Sequence, residues 1–213
     1  MKTDELITML STGPDVGTPA RPGANGFALL TAGILSSIVL MACTLGVRTD
    51  LLQVATMPDF WVKLAFVVAL AFAGWRTTKR LSIPGARTTS LPFLIATPLI
   101  MMWILGGITL FDAAPDTRAE LFWGQTWRYC PALIAMLSLP IFGATLWIMR
   151  NMAPTRLRLA GAAAGFAAGS AAAVVYSFHC PEIAPSFIGF WYVLGILIPT
   201  AVGALLGRRV LAW

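Results

Sequence analysis

The 213-residue chain has few charged side chains and few groups that perform chemistry. Charged residues make up 11% of it, histidine occurs once, cysteine three times, and no CxxC pair is present. Soluble domains carry roughly 25% charged residues, so this composition excludes an ordinary soluble enzyme. The missing CxxC pair argues against an oxidoreductase that cycles electrons through neighbouring thiols. A phosphate-binding loop and a nucleophile elbow are lacking as well.

What the sequence has instead is apolar length. Hydrophobic residues make up 58% of the chain. A membrane span needs about 20 mostly apolar residues, and six segments approach or exceed that length: 27–47, 57–75, 92–110, 131–149, 159–178 and 187–206. We therefore predict an all-α fold, a polytopic membrane protein whose six transmembrane helices form a bundle in the lipid bilayer. No cleavable signal peptide is recognised, so we expect the first span to stay in the membrane.

The chain before the first span has two parts. Thr3 is a helix-capping residue, and Asp4 and Glu5 in the first turn suit the helix dipole. Leu6 and Leu10 lie on one face, which predicts a short amphipathic helix, and a linker rich in proline and glycine follows. The predicted organisation is, in order, a helix at 1–12, a flexible linker at 13–26, the bundle at 27–207 and a tail at 208–213.

Lysine and arginine are distributed unevenly over the two predicted faces of the membrane. One face holds Lys2, Arg21, Arg76, Lys79, Arg80, Arg87, Arg150, Arg156, Arg158, Arg208 and Arg209. The other holds Arg48, Lys63, Arg118 and Arg128. Positively charged loops stay in the cytoplasm, so we predict that both termini are cytoplasmic (N-in/C-in). Topology accounts for the net charge of +6, and we predict no direct contact with nucleic acid.

Two cysteines are predicted at the outer face of the membrane. Cys130 ends the second outer loop and Cys180 follows the fifth span. Spans four and five are joined by a short loop, so we expect antiparallel neighbours whose outer ends can lie close together. One alternative is a structural disulfide, which needs Cα atoms within about 7 Å; the other is a reactive pair that senses oxidants or soft metals. We assign no role to Cys43, which lies inside the first span, because buried thiols behave as small hydrophobes.

A metal site is a more specific form of the second alternative. His179 and Glu182 lie next to Cys180 in sequence, so Cys130, Cys180, His179 and Glu182 together offer two thiolates, an imidazole and a carboxylate. A lone histidine at an interface is, however, more often solvated. We expect no resident cofactor, and at most transient binding of a soft metal at the cysteine pair.

Lys63 lies inside the second predicted span, about a turn or two from its outer end. A cation within the membrane is a candidate functional residue. The alternative, which we favour, is that Lys63 extends to the outer surface or pairs with Asp59, four residues earlier.

Glycines recur at four-residue spacing in the last two spans. Gly161, Gly165 and Gly169 lie in the fifth span, and Gly203 and Gly207 lie in the sixth. Such stripes of small residues let helix backbones approach closely. We favour packing within one chain; the alternative is a homo-oligomer formed through these glycine stripes.

A series of short segments along the chain resembles a known family. In chain order they are MKTDELITML, FWVKL, RYCP, MAP, AGAAAGFAAG, HCPE, FWY and RRVLAW. Their order and spacing over nearly the whole chain resemble the NrsF family, six-span anti-sigma factors of the bacterial inner membrane. The resemblance implies that the cytoplasmic N-terminus holds an extracytoplasmic-function sigma factor inactive.

The resemblance also implies roles for particular residues. The N-terminal motif of the family corresponds to Lys2, Thr3, Asp4, Leu6 and Ile7. In the family two outer cysteines are linked to the response to heavy-metal or oxidative stress, and they correspond to Cys130 and Cys180. An amphipathic helix independently suits docking into an apolar groove of a partner, which Leu6, Ile7 and Leu10 would enter.

We therefore expect a signalling protein and not an enzyme. Two other classes stay open. A small multi-pass transporter or metal exporter predicts polar residues at mid-membrane, and Pro98 and Pro199 interrupt spans three and six as in some transporters. A membrane thiol enzyme needs a vicinal cysteine pair, which the sequence lacks.

Overall fold

A computed structural model describes residues 3–12, 24–83, 89–152 and 154–212. The helices are α1 (Thr3–Thr12), α2 (Ala24–Thr44), α3 (Leu51–Val54), α4 (Pro58–Leu81), α5 (Leu91–Asp112), α6 (Arg118–Trp123), α7 (Cys130–Arg150), α8 (Leu157–Tyr176), α9 (Pro185–Phe187) and α10 (Val193–Val210). A π-helical turn, Ile188–Tyr192, joins α9 to α10. These ranges contain no strand. Six segments are long and apolar enough to cross a membrane: α2, α4, α5, α7, α8 and Pro185–Val210. The predicted all-α, six-span fold class is confirmed.

Most span boundaries fall within a few residues of the prediction, and the differences lie mainly at the basic ends of helices. α4 continues to Leu81, six residues past its predicted end, and α10 continues to Val210. Arg208 and Arg209 are therefore helical and not part of a separate tail. Long basic side chains can extend from a helix end to water, so such a helix need not stop where the apolar run stops. α2 begins at Ala24, and residues 13–23 of the predicted linker lie outside the described ranges.

The fifth span, α8, is the most buried of the six and packs against α4, α7 and the sixth span. Its sequence consists largely of alanine and glycine, so neighbouring helices can approach its backbone closely. α5 lies at the periphery and buries the least of its surface. The predicted pairing of spans four and five as neighbours is observed as the α7–α8 contact.

The glycine stripe of α8 is buried against the sixth span of the same chain. A Cβ atom on Gly161 would overlap the carbonyl oxygen of Gly203, and a Cβ on Gly165 would overlap that of Pro199. A Cβ on Gly169 would lie 2.9 Å from Cγ of Pro199. This contact is the packing within one chain that we favoured from the sequence. A homo-oligomer formed through the stripes is not supported, because the stripes are covered within one chain.

The two ends of the bundle differ in composition. We call the end that carries Cys130 and Cys180 the cysteine end; the short helices α3 and α6 also lie in the loops there. The opposite end, where α4 and α10 finish in the pairs Lys79–Arg80 and Arg208–Arg209, is the basic end. Because six spans alternate in direction, the first span begins and the last span ends at the basic end.

Candidate functional site

The two thiols lie at the start of one helix and just after the end of another. Cys130 is the first residue of α7, where Pro131 occupies the first turn and needs no hydrogen-bond acceptor. The backbone N–H of Cys130 donates to the carbonyl of Thr126 at 2.9 Å, and the N–H of Cys180 donates to the carbonyl of Tyr176 at 3.0 Å. Both side chains are fully buried and both are free thiols. In the structure the two sulfur atoms are not joined in a disulfide, and the choice between a structural disulfide and a reactive pair stays a prediction.

Aromatic and hydroxyl groups bring the two thiols into one cluster. Cys130 and Cys180 belong to the same buried hydrophobic core, and the hydroxyl of Tyr176 lies within reach of both sulfur atoms. The Thr126 hydroxyl is 3.8 Å from Sγ of Cys180. Tyr192 is fully buried beside Cys180, and its hydroxyl has no hydrogen-bond partner among the described residues. The predicted proximity of the two cysteines is thus a feature of the fold.

Lys63 points into this cluster, which corrects the interpretation favoured from sequence. Its side chain is 0% exposed, so it neither reaches the surface nor pairs with Asp59. Nζ donates to the carbonyl oxygens of Cys180 at 3.0 Å and Glu182 at 2.8 Å, and lies 5.3 Å from the ring centre of Tyr192. Removing a charge from water is costly unless it gains partners. Here the partners are neutral carbonyls and an aromatic ring.

A helical spacing in the sequence could have indicated this placement. Phe60, Phe66, Val67 and Leu70 are the buried large side chains of α4 around Lys63. Positions three and four residues apart share a helix face, so Lys63 lies on the face that α4 turns toward the core. The nearby carboxylate of Asp59 suggested a surface pair, but it lies on an exposed position of the helix.

A second cation reaches the same backbone segment from the loop after α2. Arg48 donates from Nε and Nη2 to the two carboxylate oxygens of Asp50, at 2.7 and 2.8 Å, and from Nη1 to the carbonyl of Cys180 at 3.3 Å. The hydrogen bond with Asp50 raises the pKa of Arg48 and lowers the pKa of the Asp50 carboxyl. Cys180 thus offers one carbonyl oxygen to two positively charged side chains.

His179 and Glu182 do not join the thiols, so the predicted four-residue metal site is not formed. Nδ1 of His179 lies 2.9 Å from the carbonyl of Gly46, which requires the ring to donate from that nitrogen. The carboxylate of Glu182 accepts from the backbone N–H of Gln125 at 2.7 Å. Among the described residues no group of three or more His, Cys, Asp or Glu side chains is arranged to hold a metal ion. The prediction was wrong because both side chains bind backbone atoms, which no sequence pattern identifies as partners.

A cluster of aromatic rings fixes the loop that leads into Cys130. Trp191 packs against Trp123 and Trp127 with ring centres 5.4 and 5.2 Å apart, and its Nε1 donates to the carbonyl of Phe122 at 3.0 Å. Aromatic pairs at such distances are stabilising beyond the area that they bury. The sixth span therefore positions the loop before α7, and with it one of the two thiols.

The remaining predicted partner-binding residues lie in α1, apart from the thiol cluster in sequence. Thr3, Asp4 and Ile7 are exposed on this helix, and Ile7 has 59% of its surface accessible. Leu6 and Leu10 lie within α1, but their side chains are outside the described part of the structure, as is the whole of Lys2. Cys43, which we took to be buried, is exposed on the outside of α2. The first span packs mainly with α7 through its other face, so this thiol faces away from the bundle.

Six membrane-spanning helices around a buried thiol pair define a polytopic, all-helical membrane protein. Its sequence matches, over residues 10–213, the profile of the NrsF family, which is described as negative regulator of sigma F. The chain belongs to that family.

Two curated relatives match the chain over its full length. It is 49% identical over 214 residues to the probable anti-sigma-F factor NrsF of Azospira oryzae, with all of both chains covered. It is 35% identical over 215 residues to the anti-sigma-F factor NrsF of Caulobacter vibrioides, again with all of both chains covered. No solved structure matches the chain.

Proposed function

We propose that this protein is an anti-sigma factor of the bacterial inner membrane that binds a sigma factor through residues 1–12 and releases it when Cys130 and Cys180 react. Full-length similarity to two anti-sigma-F factors carries the proposal. The partner is then a sigma factor of the kind those relatives are named for, and the family resemblance assigns it to the extracytoplasmic-function class. Such a protein acts by binding and does not itself contact DNA.

The charge distribution supports the orientation. Eleven lysines and arginines belong to the face that carries both termini and four to the other. Exposed residues of this set, such as Arg76 and Lys79, lie at the basic end of the bundle. Excess positive charge marks the cytoplasmic side, so α1 faces the sigma factor in the cytoplasm. The cysteine end then faces the periplasm, which is an oxidising compartment.

The form of α1 supports a docking role. It has ten residues, and isolated helices of this length are marginal in water. Ile7 and Met9 are large apolar side chains with 59% and 66% of their surface exposed. Binding in an apolar groove would cover them and stabilise the helix. Ordering a marginal helix on binding lowers the net affinity, which suits a contact that has to be released.

The thiol pair supports two forms of sensing chemistry, and neither needs a resident cofactor. Hydrogen peroxide can oxidise both thiols: the sulfur atoms of Cys130 and Cys180 form one bond and lose two protons and two electrons, and the O–O bond breaks to give two water molecules. A soft metal ion can instead bind both thiolates, with release of two protons. Either reaction replaces two buried thiols by a group of different shape.

The packing of α7 and α8 supports a route for the signal. Cys130 begins α7 and Cys180 follows α8, so a new bond between them changes how these helices pack at the cysteine end. α8 in turn contacts α4 and the sixth span along its length, and both of these reach the basic end. Coupling requires two arrangements that both sites bias, and we propose that α8 has two positions against its neighbours.

The transporter alternative is weaker because two polar side chains between spans bind carbonyls of neighbouring helices. Ser37 donates to the carbonyl of Leu137 at 2.9 Å, and Thr78 donates to that of Ala163 at 3.0 Å. These hydrogen bonds join neighbouring helices, as is common in membrane proteins. They do not point into a polar path of the kind a transporter would present.

A binding experiment tests the docking role of α1. Replacing Leu6 and Ile7 by Asp puts charge on the apolar face, so we expect at least a tenfold loss of sigma-factor binding, or about 1.4 kcal/mol. The measurement is retention of the purified sigma factor by full-length protein in nanodiscs. Thr8→Asp with Thr12→Asp, on the opposite face of α1, adds the same charge and should retain binding. Undiminished binding by the Leu6/Ile7 variant would refute the proposed docking.

A further inference from the structure

Two stretches of chain at the cysteine end are joined directly: the loop 46–48 after α2, which we call the first-span loop, and the segment 178–180 after α8, which we call the thiol segment. The backbone N–H of Arg48 donates to the carbonyl of Phe178 at 3.3 Å. Nη1 of the same arginine donates to the carbonyl of Cys180, also at 3.3 Å. The residue between these two acceptors donates in the opposite direction, so every residue of the thiol segment is bonded to the first-span loop.

The residue between them, His179, forms the shortest of the three bonds. Its Nδ1 donates to the carbonyl of Gly46 at 2.9 Å. Gly46 has a φ of +77°, the left-handed conformation in which glycine commonly ends a helix. Its own N–H donates to the carbonyl of Met41, in the last turn of α2, at 3.0 Å. His179 therefore binds a residue that is itself fixed to the end of α2, so a displacement of the imidazole is passed to this helix.

The helix that receives this contact is the one that connects α1 to the bundle. α1 ends at Thr12 and α2 begins at Ala24, so the first span is the part of the bundle that follows α1 in sequence. α2 has 21 residues, and a helix can carry a displacement from one end to the other as a rigid element. A shift of the first-span loop at the cysteine end therefore moves the point at the basic end from which α1 is held.

We propose that His179 is a positioning residue of the sensor, whose bond to Gly46 passes movement of the thiol segment to the first span and so to α1. The inference rests on the proposed function, in which a reaction at Cys180 moves this segment. It gives His179 a role other than the metal ligand that the sequence suggested. The role requires an N–H directed at a carbonyl, which the side-chain amide of asparagine can also supply.

Amide hydrogen exchange of the first-span loop tests the contact without a sigma factor. Full-length protein in nanodiscs is compared with three variants at one fixed pH. His179→Phe keeps a ring and removes the donor, so we expect about fivefold faster exchange at residues 45–48. His179→Asn keeps a donor and should stay within about twofold of the parent protein. Ser186→Ala is the matched control, because it removes a hydrogen bond to the carbonyl of Leu121 at the same end and should leave residues 45–48 unchanged.

Sigma-factor binding before and after oxidation tests the transmission. Each protein is treated with hydrogen peroxide, mass spectrometry follows the disulfide between Cys130 and Cys180, and retention of the purified sigma factor is measured in both states. In the parent protein we expect oxidation to weaken binding about tenfold, a usual size for coupling between two sites. His179→Phe should form the disulfide to the same extent but lose less than about threefold in binding. His179→Asn should behave like the parent protein.

Three results would overturn the inference. They are unchanged exchange at residues 45–48 in His179→Phe, equally faster exchange in His179→Phe and His179→Asn, and a loss of binding on oxidation of His179→Phe as large as in the parent protein. If His179→Phe does not yield folded protein, His179→Ala takes its place and the same results count against the inference. Should the parent protein keep the sigma factor after its thiols have reacted, the proposed function fails, while the exchange rates still decide whether His179 holds the first-span loop.

Discussion

Backbone contact holds the middle of the bundle together, whereas hydrogen bonds to one short loop hold its cysteine end. In the middle, the glycines of α8 leave no room for a side chain against the sixth span. At the cysteine end, Lys63 and Arg48 hold the segment around Cys180 through carbonyl oxygens. Close packing restricts helices to a few discrete arrangements, whereas a few polar bonds can be exchanged for others one at a time. Under the proposed function, chemistry at the thiols thus acts at the end of the bundle that polar bonds hold.

The largest effect is expected from adding a single methyl group in the middle. Gly165→Ala places a Cβ against the backbone of Pro199, which cannot move aside as a flexible side chain would. We expect a loss of at least about 3 kcal/mol of unfolding free energy, at the upper end of overpacking costs. Gly143→Ala on α7 is the matched control because nothing lies within 4 Å of the added atom. Denaturant-induced unfolding in detergent measures both, and equal stability of the two variants would contradict the close contact.

An intermediate effect is expected in the loop that precedes Cys130. Gly124 has a φ of +53°, a backbone conformation that suits glycine, and a Cβ there would meet the carboxylate of Glu182 at 2.7 Å. Gly124→Ala should therefore cost about 2 kcal/mol and loosen the loop that carries Cys130. Gln125→Ala keeps the N–H that binds Glu182 and serves as the control. Thermal unfolding gives the stability, and a smaller loss than in Gln125→Ala would show that the loop conformation is not strained.

The smallest effect is expected from the ion pair between the largely buried Arg48 side chain and the exposed carboxylate of Asp50. The hydrogen bond from Arg48 lowers the pKa of Asp50, so its contribution is present above the ordinary carboxyl pKa of about 3.9 and is lost as pH falls through the lower value. Asp50→Asn should be slightly less stable than the parent protein at neutral pH, and the difference should vanish in acid. Melting curves between pH 2 and pH 7 measure this, with Asp116→Asn as an exposed control. A difference that grows toward acid would reverse the assigned sign.

The fold could be predicted from sequence because apolar length and glycine spacing are local patterns. Prolines in the first turns of α4, α5 and α7 are a local pattern of the same kind. The meeting of Cys130 and Cys180 followed from the same pattern, since two spans joined by a short loop return to one end of the bundle. Features that depend only on the order and direction of the helices can thus be predicted from a single sequence.

Three side chains of the site could not be placed in this way, because their partners are backbone atoms distant in sequence. Lys63 bonds to carbonyls more than a hundred residues away, as does His179 to Gly46. A carbonyl is present at every residue, so no pattern in the sequence distinguishes the one that will be the acceptor. Glu182 likewise binds a backbone N–H in another loop. From the sequence, Asp59 was the candidate partner of Lys63, and the two thiols were the candidate partners of His179 and Glu182. Neither expected pairing forms in the structure.

One oxygen atom at the cysteine end serves two spans at once. The carbonyl of Cys180 accepts from Lys63 in α4 and from Arg48 just after α2, at 3.0 and 3.3 Å. Rotation of that single peptide plane removes both bonds in the same step. Movement at a residue that follows the fifth span therefore reaches the first and second spans directly, without having to pass through α7 or α8.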